Sequence, residues 1–309
     1  MRRARRILLW VVAGVVALLA VLAAAAAAYD AVVPWESKPV RELYDGPFVS
    51  LDGRLVAYRT WGSSGTPIVL IPGFAESTFV FEKVGPLLAR RHRVYALDLA
   101  GFGYTERKGP YGLDAWSAEV QALIRHFGLE RPVVVGHSLG AAVAVAVAQE
   151  VPVRGVVLAD GDALSEGGAP TWLRRVLVPP YRTAAFRAVL RSDWAVRRLL
   201  ERAYGPLRPE ITHAEIDRWR RPFHADGAEA ALFSEAKGGV PGYTLDELRR
   251  MHVRTLAIWG SKDDVDSLSS GRKAATALGA PVVVLPGAGH LGMLVLPQRW
   301  AKAVIAFAR

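Results

Sequence analysis

A serine hydroxyl is a weak nucleophile until a neighbouring base takes its proton, and one serine in this chain stands where that can happen. The apolar run Val133-Val134-Val135 leads into Gly136-His137-Ser138-Leu139-Gly140 and then Ala141-Ala142. A short apolar run, a G-x-S-x-G pentapeptide and a helix-forming run together predict a strand turning sharply into a helix, with the serine at the apex. Such a turn leaves no room two residues to either side, and glycine occupies both places. The helix N-terminus favours negative charge near the serine. The chemistry on offer is attack on a carbonyl carbon and transient acylation of Ser138.

The base has to be an imidazole, and a carboxylate has to orient it. Of the seven histidines, His290 follows the apolar run at residues 282–285 in a glycine-rich turn, Gly287-Ala288-Gly289-His290. A loop of that kind at a sheet edge can bring the ring over the serine. His137 adjoins Ser138 but, in so tight a turn, points elsewhere. His92, His126 and His252 flank elements and read as surface or boundary residues, while His213 and His224 lie in a helical stretch. For the acid, the segment Gly260-Ser261-Lys262-Asp263-Asp264-Val265-Asp266 supplies three carboxylates within four residues. Asp263 is the first choice, Asp264 the second and Asp266 the third. Asp160 and Asp162 are a further alternative, and spare aspartates would solvate loops or cap the helix that follows. An oxyanion needs two N–H donors, expected from the amides of Leu139 and of Phe74 in Pro72-Gly73-Phe74-Ala75-Glu76.

Strands are predicted at residues 54–59, 67–71, 93–97, 132–135, 153–159, 255–259 and 282–285. Helices are predicted at 79–90, 113–127 (capped by Asp114), 139–149, 267–278 and 297–307. This alternation indicates an α/β fold with a mainly parallel sheet covered on both faces. It stops between 162 and 248, where the pattern is helical and carries eight aromatics from Trp172 to Phe233. An all-helical insert after strand 6 reads as a cap, or lid, over the C-terminal edge of the sheet.

Residues 7–28 contain no charge and follow Arg2, Arg3, Arg5 and Arg6. As a helix they would span about 33 Å, enough for a bilayer core of about 30 Å. The arginines would stay in the cytoplasm, placing the rest of the chain outside the cell membrane. A secretory signal cleaved in the alanine run would instead release it. The organisation expected is an anchor or signal at 1–29, a proline-bearing extended linker at 30–47, a core at 48–161 and 249–309, and a lid at 162–248. The absence of cysteine excludes disulfides and thiolate chemistry. The net charge is +10, with twelve arginines against five acids between residues 170 and 221. That surface would be solvated or would face anionic lipid or acidic substrate. No nucleic-acid-binding motif accompanies it.

The chain from about residue 48 onward resembles a lidded alpha/beta-hydrolase. The resemblance rests on five motifs in order: Pro72-Gly73-Phe74, Asp98-Leu99-Ala100-Gly101-Phe102-Gly103, the Ser138 pentapeptide, Gly260-Ser261-Lys262-Asp263 and Gly287-Ala288-Gly289-His290. It implies ester-type hydrolysis of a small, hydrophobic substrate by a Ser138–His290–Asp263 triad, without metal or organic cofactor. Pro72 stands where relatives often have His, and Ala141 where Gly is common. The Asp98–Gly103 motif also occurs in epoxide hydrolases and haloalkane dehalogenases, whose nucleophile is aspartate, so Ser138 speaks against both. Hydrolases of C–C bonds share the lid and serine but often have Asn in place of His137. Thioester or lactone cleavage, and a catalytically retired binding protein, are the remaining alternatives.

Overall fold

The computed structural model describes residues 2–33, 35–165, 181–236 and 239–309. Its centre is an eight-stranded sheet: β1 Phe48–Leu51, β2 Arg54–Trp61, β3 Pro67–Ile71, β4 Arg93–Leu97, β5 Val133–His137, β6 Gly155–Ala159, β7 Thr255–Gly260 and β8 Val282–Leu285. The order across the sheet is β1-β2-β4-β3-β5-β6-β7-β8. β1 and β2 pair antiparallel with each other, as β2 does with β4, and the remaining pairs are parallel.

β3, β5, β6 and β7 are buried along their whole lengths, so their sequences are mainly apolar runs rather than alternating ones, with His137 and Thr255 the polar residues at strand ends. The helix Leu139–Glu150, mostly Ala and Val, packs its buried length against β5. The helix Leu113–His126 lies beside it and buries Trp116, whose indole N–H donates to the Ala100 carbonyl at 2.8 Å. The chain leaves β3 for β4 on one side and returns to β5 on the other. A crevice therefore opens between the C-terminal ends of β3 and β5, where ligands bind in open α/β sheets.

Several expectations are corrected. β1 was not predicted, although Asp52-Gly53, both at positive φ, form the two-residue turn that pairs it with β2. The helix predicted over 79–90 is two short turns, Thr78–Phe81 and Gly85–Leu88, because Pro86 lacks the N–H a continuous helix requires. Asp114 is inside its helix rather than capping it, since Gly112 takes the N-cap. The helix Leu268–Ala277 is capped by the Ser267 hydroxyl and by no aspartate. His92 is buried rather than on the surface, with Nδ1 3.3 Å from the Thr66 carbonyl.

Residues 38–44, expected as extended tether, are packed. Val40, Leu43 and Tyr44 are buried in a small cluster with Ala57, Tyr104 and Ala225. Between β6 and β7 the described residues form helices joined by turns, the longest being Tyr181–Arg191, Asp193–Tyr204, His213–Arg220 and Ala228–Ala236. The part of the lid reading on residues 166–180 lies outside the described residues.

Contacts divide the chain into two units, residues 37–168 with 197–309, and residues 1–36 with 169–196. In the second unit the helix Arg2–Val32 runs beyond the uncharged stretch. Trp35 meets Phe186 at 5.8 Å between ring centroids, and Arg187 lies 3.7 Å from Asp30. Among the described residues one helix, over Ala13–Val32, is long and apolar enough to cross a membrane, and a signal sequence passes the same test. Ile7, Trp10, Val11 and Val21 are exposed along the N-terminal helix.

Two buried carboxyls hold the loop after β4. Asp98 accepts the amide protons of Thr78 at 2.5 Å and Tyr104 at 2.7 Å. Glu119 accepts from the Ala100 amide at 2.8 Å and from Arg54 at 2.9 Å. Burial raises the pKa of Asp98 to about 6 and, against the pull of Arg54, that of Glu119 to about 7.

Candidate active site

Ser138 stands between β5 and the helix it caps, with φ 51° and ψ −124°. That conformation is costly for a residue bearing a β-carbon and persists only where the surroundings enforce it. Here the Ser138 amide donates to the Ala159 carbonyl of β6 at 3.0 Å, and its carbonyl accepts from Ala141 at 2.9 Å. Glycine at position 136 is obligatory, because a β-carbon there would come within 2.0 Å of the Gly140 carbonyl oxygen.

The loop after β3 passes beside the serine. A β-carbon on Gly73 would meet Ser138 Cβ at 2.8 Å. Phe74 follows, its ring 5.0 Å from that of Phe102. Leu139, the other expected amide donor, is the first residue of the helix after the serine.

His290 and Asp263 meet. Their loops follow β8 and β7, and His290 Nδ1 lies 2.8 Å from Asp263 Oδ2 with both side chains buried. The other oxygen of Asp263 accepts the amide protons of Val265 at 2.8 Å and Asp266 at 3.0 Å, which sets the carboxylate plane. With Nδ1 committed, Nε2 is the nitrogen left for proton transfer.

The alternative acids are placed otherwise. Asp266 Oδ2 accepts from the Asp162 amide at 3.2 Å, and Asp162 in turn accepts from Leu164 and Ser270. The Asp264 carbonyl accepts from Arg202 at 2.7 Å. Asp160 is fully buried at the end of β6 beside β7, its Oδ1 accepting from Gly260 at 2.6 Å, and burial pushes its pKa well above its ordinary value.

The helical insert reaches the same loops. The amides flanking His290, those of Gly289 and Leu291, donate to the carbonyls of Tyr204 and Ala203, each at 3.2 Å. These are the last carbonyls of the helix Asp193–Tyr204, which lack partners within their own helix.

Sequence reasoning missed one polar group here. Glu76, quoted only as part of the loop after β3, is buried, accepts from the Gly73 amide at 2.7 Å and meets His137 Nδ1 at 2.8 Å. Its one sequence signal was a charge next to the expected oxyanion loop. Burial opposes a charged His137 ring, but the Glu76 carboxylate outweighs it and raises the pKa to about 9. Burial likewise opposes an ionised Glu76, yet its bonds with His137 and Gly73 hold it below the usual glutamate range.

These groups give stability a defined pH dependence. Asp98 and Glu119 keep protons in the native state that the unfolded chain has lost, so stability falls from their ordinary values of 3.8 and 4.5 until pH has passed about 6 and about 7. His137 stabilises the native state fully below its ordinary value of 6.5 and loses that contribution as pH rises through about 9. Glu76 works in the opposite direction, contributing above 4.5 and losing its contribution as pH falls. The thermal midpoint is therefore expected to be highest near pH 4.5, where Glu76 is ionised while Asp98 and Glu119 still hold their protons, and to fall from there towards pH 9. Scanning fluorimetry at constant ionic strength checks this, and a midpoint rising over that interval would contradict these charge states.

Residues 68–306 match the profile of the Alpha/beta hydrolase family. Over 255 residues the chain is 27% identical to the hydrolase YugF of Bacillus subtilis, covering 81% of this chain and 92% of that protein. The meta-cleavage product hydrolase of Pseudomonas fluorescens superposes with a TM-score of 0.68 at 22% identity, covering 85% of this chain and 97% of its own. A bacterial membrane phospholipase A superposes with a TM-score of 0.68 at 24% identity, covering 99% and 98% of the two chains. At such identities the likeness to the two solved structures is one of fold.

Proposed function

The chain belongs to the alpha/beta hydrolase family, and on that footing we propose that it is a serine hydrolase cleaving a carboxylic ester or related acyl compound through an acyl-enzyme on Ser138. The observation carrying this reading is the buried His290–Asp263 contact of 2.8 Å, on two loops at the edge of the sheet where Ser138 stands. His290 Nε2 takes the hydroxyl proton as Ser138 attacks the acyl carbon. The tetrahedral oxyanion forms against the amides of Leu139 and Phe74. His290 then protonates the departing alcohol and, in the second half-reaction, activates the water that releases the acid. Asp263 holds the imidazole tautomer and offsets the charge that the ring acquires.

The helical insert serves as a lid. Its support is the pair of hydrogen bonds from the His290 loop to Ala203 and Tyr204, together with the Arg202 contact to the Asp264 carbonyl. Its aromatic content suits a hydrophobic acyl or alkyl group. Purified full-length protein in detergent is expected to hydrolyse aryl esters, with kcat/KM rising from acetyl to medium-length acyl chains, and to be labelled by a fluorophosphonate. Thioesters, lactones and C–C substrates in the same panel test the bond type. Folded protein that neither reacts with the probe nor cleaves any acyl substrate would end this reading.

The helix Arg2–Val32 serves as an uncleaved anchor, with the hydrolase domain on the extracytoplasmic side. Apolar side chains exposed along it and the arginines at its start support this placement. In a bacterial host the chain is expected to sediment with membranes, to resist a high-salt wash and to be cut by protease added outside the inner membrane. Recovery from the soluble fraction with a shortened N-terminus would favour a cleaved signal.

A further inference from the structure

His137 is fully buried, and both of its ring nitrogens face oxygens. Nδ1 lies 2.8 Å from Glu76 Oε2, and Nε2 lies 2.9 Å from the backbone carbonyl of His290. A carbonyl only accepts, so Nε2 must carry hydrogen. One further proton lies between Nδ1 and Glu76 and belongs on the stronger base, which is imidazole. Glu76 Oε2 also accepts the Gly73 amide at 2.7 Å, and an acceptor given a second N–H favours its ionised form.

The other ionisable groups around the ring are His290, with ring centroids 4.7 Å apart, and Asp160. Asp160 Oδ2 is buried without a hydrogen-bond partner, and burial holds that carboxyl towards its neutral form. Glu76 is then the counter-ion.

The three residues joined here come from the ends of three strands. Glu76 is on the loop after β3 that carries Phe74, His137 is the last residue of β5 and precedes Ser138, and His290 is on the loop after β8. We propose that His137 is held as an imidazolium paired with ionised Glu76, and that this buried pair is the positioning device that registers the oxyanion loop and the His290 loop against the nucleophile. The hydrogen bonds of the pair go to the Gly73 amide and the His290 carbonyl rather than to the Ser138 hydroxyl. The pair acts by fixing where Phe74 and His290 stand relative to Ser138, and misplacing such groups by about 1 Å costs about 100-fold in rate. The catalytic half of this inference rests on the hydrolase reading above, whereas the charge state does not.

The test uses full-length chain in detergent micelles labelled with 15N-histidine, at about pH 7.5. Both ring nitrogens of one buried histidine are expected in the protonated range, with slowly exchanging N–H protons. In Glu76→Gln, which removes the counter-charge, one nitrogen of that ring is expected to move to the lone-pair range, which also assigns the signal. A lone-pair nitrogen at His137 in the unaltered protein overturns the imidazolium, and no change in Glu76→Gln overturns its pairing with ionised Glu76. For positioning, Glu76→Gln is expected to lower kcat by about 10- to 100-fold while KM moves by less than about threefold. Glu76→Asp is expected to restore the imidazolium signal and part of the lost kcat. Unchanged kcat in folded Glu76→Gln overturns the positioning role. If the imidazolium is present but the unaltered protein is not labelled by a fluorophosphonate, the hydrolase reading fails and the charge assignment stands.

Discussion

Ser138→Ala is expected to lower kcat on aryl esters by about 10⁵- to 10⁶-fold and to abolish fluorophosphonate labelling. The size follows from losing the covalent route altogether. Alanine leaves His290 and Asp263 paired but with no hydroxyl to deprotonate. What remains is binding and the oxyanion donors, which alone leave a residual acceleration over water of about 10³- to 10⁴-fold. The substitution is a clean test because it removes one atom and keeps the backbone demand. The φ of 51° is held by Ala159 and by the first turn of the helix Leu139–Glu150, not by the hydroxyl. Alanine meets the same strain, so the thermal midpoint should move little. Initial rates at saturating ester, with the probe read on a gel, decide the matter. A variant retaining more than a hundredth of the activity would mean that another group is the nucleophile.

Asp263→Asn is expected to lower kcat by about 10⁴-fold, the scale on which loss of the correct imidazole tautomer acts in serine proteases. The local geometry says which way the new amide must face. Asp263 Oδ1 accepts two backbone protons, from Val265 and Asp266, so the asparagine oxygen stays there. Its NH₂ then takes the place of Oδ2 and points at His290 Nδ1. To accept that bond, Nδ1 must give up its hydrogen, and the ring carries the hydrogen on Nε2 instead. In that tautomer His290 cannot take the Ser138 proton. Asp264→Asn and Asp266→Asn are the controls, expected to stay within about tenfold of the unaltered enzyme. A loss at Asp266 exceeding that at Asp263 would reassign the acid. Steady-state kinetics from pH 6 to 9 should show the Asp263→Asn deficit throughout rather than at one end.

Most of the framework was legible because its signals are local. Strands buried on both faces are apolar along most of their length, and β3, β5, β6 and β7 announce themselves as such runs, with His137 at the end of β5 and Thr255 at the start of β7 as the polar exceptions. The elbow was legible for the same reason, since crowding between Gly136 and Gly140 excludes any side chain. Where local signals competed, the reading slipped. Prolines at 39 and 47 suggested a tether, but burying Val40, Leu43 and Tyr44 outweighed the proline signal and drew that stretch onto the domain. Asp52-Gly53 was a legible hairpin turn that went unread.

Residue type and spacing by themselves determined that Ser138 sits on a strained turn and that a histidine loop and an aspartate loop follow at the same sheet edge. They ranked Asp263 ahead of Asp264 and Asp266 but could not show the contact itself, because only the folded chain brings the Asp263 carboxylate to His290 across 27 positions. Nor did they show that His137, 61 positions from Glu76 and 153 from His290, joins both. Periodicity and turn chemistry act over a few residues and survive in the bare sequence. Pairing between strand ends is decided by the order in which the sheet assembles its strands, and that order exists only in the folded chain.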